Sequence, residues 1–200
     1  MSGSDSTRAS LLSRVRDASD GDSWREFDEL YRDLVVRYAR RQGLQAADAE
    51  DVCQLVMLGL SRSLRGFEYR PERGRFRDYL GRVVYNAIAR FRRGWRPTEV
   101  VGDELLEAVV SAEDGELDEV WEQEWTSYHF RRAMAACADR FEPQSLAIFE
   151  RLVAGSTTAE VAAAFDVSVE AVYKIRTRVR ERLMMQIEQQ VREEDLEAEA

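Results

Sequence analysis

The sequence predicts an all-α protein built from two helical domains joined by an acidic linker. Three observations carry that reading. Apolar residues recur at steps of three and four along most of the chain, the period of one face of a helix. Only 3 prolines and 11 glycines interrupt 200 residues. No segment alternates apolar and polar residues at the period of a strand.

The elements follow in order. Residues 1–22 are polar and read as a flexible N-terminus, with Leu11, Leu12 and Val15 as a short helical start. A first strong helix is expected over Ser23–Arg41, striped by Trp24, Phe27, Leu30, Tyr31, Leu34, Val35 and Tyr38. Ser23 and Glu26 have the spacing of a capping box, and Gly43 suits the end. Asp48 reads as the next N-cap, followed by Val52, Leu55, Val56, Gly59, Leu60 and Leu64. Residues 66–75 form a loop broken by Pro71 and Gly74. A third helix is expected over Phe76–Arg93, with Gly94 and Pro97 beyond it. Residues 23–96 are thus one domain, 97–120 an acidic linker, 121–190 a second domain and 191–200 an acidic tail. In the second domain Trp125, Tyr128, Ala133, Cys137 and Phe141 mark one helix, and Pro143 opens the next. A short helix over Thr158–Phe165, a tight turn and a long helix from Val169 to about Gln190 complete it.

The net charge of −9 hides strong segregation. Residues 65–96 carry 10 arginines against Glu68, Glu72 and Asp78, a local charge of +7. Residues 97–129 carry 11 acids and no lysine or arginine. Electrostatic steering acts through such local distributions, so a basic surface survives an acidic total. Within 65–96 the arginines alternate with Phe67, Tyr69, Phe76, Tyr79, Tyr85, Phe91 and Trp95. Arginine and aromatic rings together suit single-stranded nucleic acid, whose exposed bases stack. Phe76, Tyr79 and Phe91 lie on the apolar stripe and read first as core. Phe67, Tyr69 and Trp95 lie off it.

Residues 155–183 carry the clearest local motif. Thr157 and Glu160 make a capping box before an alanine-rich helix. Asp166-Val167-Ser168 forms the turn, with Ser168 capping the next helix. Val172, Ile175, Val179 and Leu183 point inward. Tyr173, Lys174, Arg176, Thr177, Arg178 and Arg180 point outward. The pattern is that of a helix-turn-helix whose second helix enters a DNA major groove.

Other classes find little support. His129 is the sole histidine, and no nucleophile motif or metal-ligand spacing appears, so no enzyme, cofactor or metal is expected. Cys53 and Cys137 stand 84 residues apart and read as small buried residues. No apolar run approaches the ~20 residues that span a bilayer, and the N-terminus lacks the apolar core of a secretory leader. The reading places the chain in the cytoplasm and off the membrane.

With these residues assembled, the chain resembles the extracytoplasmic-function (ECF, group IV) sigma factors of RNA polymerase. DAEDVCQLVMLGL (48–60) is similar to that family's D-A-E-D-hydrophobic-x-Q helix. FRDYLGRVVYNAIARFRR (76–93) is similar to its F-x-x-W-L-x-x-I-A-x-N helix, with Tyr79 at the usual Trp and Arg90 near the usual acid. GSTTAEVA and SVEAVYKIRTRVRERL resemble its helix-turn-helix, although Ile175 and Arg176 depart from the usual Arg-Leu order. The resemblance covers about residues 24–96 and 130–185.

It implies a sigma region 2 bundle and a sigma region 4 helix-turn-helix. Asp48, Glu50, Asp51 and Gln54 would bind core RNA polymerase. Phe67, Tyr69, Arg75, Tyr79, Asn86, Arg90 and Arg93 would meet the proximal promoter element and its unpaired strand. Ser168, Tyr173, Lys174, Thr177 and Arg178 would read the distal element. The implied partners are core polymerase, promoter DNA and an anti-sigma factor. The implied role is transcription initiation at a stress or envelope-signal regulon. A stand-alone helix-turn-helix regulator, dimerised through Met184, Met185 and Ile187, is the alternative.

Overall fold

The structure, a computed structural model, describes residues 11–15, 20–63, 76–94 and 119–199; for Leu12, Ser13 and 193–199 it describes the backbone alone. Every regular element among the described residues is helical. The chain divides into two compact units, one drawn from residues 1–126 and 193–200, the other Ser127–Arg192. No described helix is long and apolar enough to cross a membrane.

The first unit opens with the short α1, Leu11–Arg14. Leu11 and Val15 are buried, and Arg14 pairs with Glu26 of the next helix at 2.6 Å. That helix, α2, runs Gly21–Arg41 and starts two residues before the expected Ser23. Its N-cap is Asp20, whose carboxylate accepts the Ser23 backbone N–H at 2.9 Å and the Ser23 hydroxyl proton. An anionic oxygen is the stronger acceptor for the exposed amides of a first turn. Those two hydrogen bonds hold the Asp20 carboxyl below its ordinary value. Ser23 is therefore buried rather than capping, and Glu26 serves Arg14 instead of a capping box.

The next helix, α3, spans Ala46–Ser63, so the expected cap Asp48 lies inside its first turn. Ala46 and Ala47 are good helix formers and carry the helix back to Gln45, whose carbonyl accepts the Ala49 N–H at 2.9 Å. Gly66, expected at its end, lies outside the described residues. α4 spans Phe76–Arg92. α2 packs on α3, and α3 on α4. Phe76 sits 6.1 Å from Phe27 and 5.6 Å from Tyr31, ring centre to ring centre. Edge-on and tilted aromatic contacts of this kind add to the burial itself.

α5, Glu119–Cys137, begins within the segment expected to be linker. Its first turns belong with the first unit. Trp121 is fully buried and meets Tyr38 edge-on at 5.2 Å. Arg41 reaches Gln123 at 2.6 Å and the buried Glu124 at 3.5 Å, while Arg77 reaches Glu122 at 3.1 Å. The sequence reading gave Trp125 to the second domain; its ring packs on Trp121 here, because two indoles find their apolar partners beside α2.

The second unit takes the rest of α5, a 3-10 turn at Ala138–Arg140, then α6 (Pro143–Val153), α7 (Thr158–Phe165) and, as far as Arg192, α8 (Val169–Glu199). Ala133, Cys137, Phe149, Val179 and Leu183 form one cluster. Ile148, Val161, Ala162 and Val172 form another, and Ile175 packs against both. Pro143 opens α6 as expected. Gly155 takes φ +97°, a conformation glycine adopts at little steric cost, and turns the chain sharply after α6. α8 runs past the expected end near Gln190, since no proline or glycine follows to stop it. His129 Nδ1 lies 3.3 Å from Gln190 Oε1, and both side chains are buried.

Replacing a fully buried tryptophan by alanine removes a large apolar contact and leaves a cavity. Trp121→Ala is expected to cost about 3–5 kcal/mol, read as a lower urea midpoint at unchanged helix content in buffer.

Candidate nucleic-acid interface

Three helical faces carry the residues that the sequence singles out. On α3 the buried side holds Ala49, Val52, Cys53, Leu55, Val56, Gly59 and Leu60. The opposite side therefore presents Glu50, Gln54, Leu58 and Arg62 at steps of four, all exposed. Asp48 and Asp51 flank them, half-buried. Glu50 pairs with Arg32 of α2 at 2.9 Å, and Arg32 also holds Asp28. Leu58 is 39% exposed and was missed by the sequence reading. Its only signal was a leucine off the apolar stripe. The exposed line of α3 thus carries a carboxylate, an amide, one leucine and a guanidinium.

Behind that ridge Cys53 is buried, and burial pushes its thiol up to about 12, against the opposing pull of Arg32. Cys137 is likewise buried and free.

The face of α4 is basic. Between Tyr79 and Gly94 the sequence holds four arginines and no acid. Phe76 is buried, as its place on the stripe predicts. Tyr79 lies half-buried: its ring packs on Phe76 at 6.3 Å, and its hydroxyl meets Ser63 Oγ at 3.1 Å. Burial raises the phenol above its ordinary value. Tyr79 thus ties the end of α3 to the start of α4. Asn86, Arg90 and Arg93 follow one another at steps of four and three, the first two half-buried and the last exposed. Arg92 donates to the backbone carbonyl of Gln42 and braces α4 against the end of α2. Tyr85 is 42% exposed and shares a face with Arg82, Ala89 and Arg92. The sequence reading counted this ring but drew no role from it; its position off the stripe was the available signal. Phe67, Tyr69, Arg75 and Trp95 lie outside the described residues.

The third face belongs to α7 and α8. The Thr157–Glu160 capping box forms in both directions, at 2.8 Å and 3.3 Å. Asp166 takes the left-handed conformation at φ 52°. Ser168 Oγ accepts the Ala171 N–H at 3.1 Å, so this hydroxyl is engaged in capping. Tyr173, Lys174 and Thr177 are exposed, and Lys174 pairs with Glu170 at 2.7 Å. Arg178 is exposed, as expected, but it also makes contacts within the fold. Its guanidinium donates to Ser145 Oγ at 3.3 Å and lies 5.9 Å over the Phe141 ring. It braces α8 against the start of α6. Among the described residues no three metal-type ligands gather.

The first unit is thus a helical bundle with an acidic–apolar ridge on one helix and a basic face on another. Residues 27–96, which run from α2 through the end of α4, match the family model of Sigma-70 region 2. The chain therefore contains a Sigma-70 region 2 domain. Comparison with curated proteins and with solved structures gives no match.

Arg178→Ala is expected to lower stability by about 1 kcal/mol through the lost hydrogen bond and ring contact. Lys174→Ala, which removes an exposed pair, should change it by less than about 0.5 kcal/mol. Thermal melts of the two variants compare them directly. Cys53 gives a pH test. Its thiol stays protonated in the folded chain while the unfolded thiol ionises near its ordinary 9.0. Stability is therefore whole below pH 9 and falls as pH climbs toward 12. Cys53→Ala should show a shallower alkaline decline.

Proposed function

We propose that the chain is an RNA polymerase sigma factor of the extracytoplasmic-function type, a non-catalytic protein that confers promoter recognition at a stress or envelope-signal regulon. The observation that carries the reading is the Sigma-70 region 2 match over residues 27–96, on helices that bear a ridge of mixed polar and apolar residues and a basic face. The family's role is promoter recognition by RNA polymerase.

In this reading Asp48, Glu50, Asp51 and Gln54, with Leu58, dock core polymerase. Phe67, Tyr69, Arg75, Tyr79, Asn86, Arg90 and Arg93 meet the proximal promoter element, with Tyr85 as an added stacking surface for unpaired bases. α7 and α8 act as the region 4 helix-turn-helix, where Ser168, Tyr173, Lys174, Thr177 and Arg178 lie against the distal element. Ser168 and Arg178 then serve mainly by holding α8 in place. The acidic stretch expected as a linker, 97–120, lies in the sequence between α4 and the body of α5, and an anti-sigma factor is a natural further partner. The chain would work in the cytoplasm, where polymerase is.

The alternative, a stand-alone helix-turn-helix regulator, draws on Met184 and Met185, which are 49% and 53% exposed. Ile187, its third dimer contact, packs against the second unit's core instead. That reading also leaves the ridge of α3 without a use.

Sizing chromatography with bacterial core polymerase separates the two. The wild-type chain is expected to co-elute at one per core, and Leu58→Asp to weaken that association about tenfold or more, as a buried charge at an interface centre does. Asn86→Ala should co-elute normally and yet lower run-off transcription. A folded wild-type chain that never joins a competent core would overturn the sigma reading.

A further inference from the structure

We infer that Arg32 of α2 is a positioning residue for polymerase docking: locked in place by Asp28, it holds the Glu50 carboxylate of α3 in the orientation that the docked complex uses. The inference rests on reading the outer line of α3 as the polymerase surface, and it assigns a residue that lies outside that line. Asp48, Glu50, Asp51 and Gln54 carry the polar chemistry of that reading. Among the described residues, the side chains of Asp48, Asp51 and Gln54 have no hydrogen bond or ion pair, and Glu50 has one, to Arg32.

Arg32 is itself held firmly. Its Nε and Nη2 donate to the two carboxylate oxygens of Asp28, at 2.8 Å and 2.9 Å. This is the two-pronged match of a guanidinium to a carboxylate, and it fixes the plane of the fork as well as its place. Asp28 stands one turn back on the same helix and is half-buried. The remaining nitrogen, Nη1, reaches across to α3 and donates to Glu50 Oε2 at 2.9 Å. Other arginines of α2 do less: Arg25 and Arg37 each make one contact, within their own helix. Glu50 stays exposed despite its bond to Arg32. Its second oxygen, Oε1, takes no hydrogen bond among the described residues and keeps its lone pairs for a donor from outside.

A glutamate side chain turns about several bonds, and ordering it at an interface weakens binding. Arg32 does that ordering in the free chain, so polymerase meets a carboxylate that is already aimed. Folding gains little from the same network. Exposed ion pairs add little to stability, and the burial of Val52, Leu55 and Val56 already seats α3. Two carboxylates outweigh one guanidinium, so the cluster stays anionic. The held Glu50 therefore still suits an arginine or lysine of the partner.

The test measures the affinity of full-chain variants, dye-labelled at the N-terminal amine, for bacterial core polymerase by fluorescence anisotropy. R32A should bind about fivefold more weakly than wild type. Its melting temperature should stay within about 3 °C. Arg32 acts through Glu50 alone, so R32A/E50A should bind no more weakly than E50A. R32A/Q54A should instead lose the product of the two single losses. R32K keeps the charge without the fork and should lose nearly as much as R32A. Should R32A fail to fold, D28N loosens the same fork and should show the same dependence on Glu50. An R32A chain that binds like wild type would overturn the role. A full R32A loss on top of E50A would make Arg32 a direct contact or a brace of the fold, and would overturn it too. R32K at wild-type affinity would leave charge, not orientation, as the cause, with the same result. A folded wild-type chain that never binds a competent core would remove the sigma reading itself, and the role of Arg32 with it.

Discussion

The contact of Phe76 with Phe27 and Tyr31 decides how the first unit presents itself. α4 is basic on one side and apolar on the other, and its rotation about its own axis determines which side meets water. Phe76 anchors the first turn of α4 against α2, and Leu80, Val83, Val84, Ala87 and Ile88 follow it inward at helical spacing. With those positions committed, Tyr85 and Arg93 have only the outside left to them. The same logic runs through α3, where the burial of Val52, Leu55, Val56 and Leu60 leaves Glu50, Gln54 and Leu58 as an external ridge. Packing thus arranges the outward chemistry of both helices.

In the second unit the constraint is a turn. Asp166 in the left-handed region and the two capped starts, at Thr157 and Ser168, set where α7 stops and α8 begins. Val161 and Ala162 then lie against Val172 and Ile148. Small side chains at that crossing bring the N-terminus of α7 toward the middle of α8. This placement puts Thr157 and Thr158 on the same groove as Arg176 and Arg180.

Much of this was legible in the residues. Helical period named the cores of α2, α3, α4 and α8, and cap chemistry placed α7 and the starts of α6 and α8. Three kinds of information were not legible. Cap competition was one: Ser23 has the composition of an N-cap, but Asp20 three residues earlier offers the better acceptor. Tertiary partnership was another. Trp121 and Trp125 look like any apolar residues of a second domain until Tyr38 is beside them, and Arg178, exposed as expected, gives no sign in the sequence of its contacts with Ser145 and Phe141. The last was exposure of apolar groups. Leu58 and Tyr85 lie off their stripes, and a stripe says what is inside more clearly than what the outside is for.

Both thiols lie in the cores of their units, and the one in α3 keeps its proton well beyond neutral pH. Oxidants attack thiolates that water can reach, so neither cysteine is placed to be converted to a sulfenic acid or to exchange with a disulfide. Among the described residues the methionines open to solvent are Met184 and Met185 on α8. An oxidative cue acting on the chain itself would meet methionine chemistry, which turns an apolar side chain polar and is undone by a reductase rather than by a thiol.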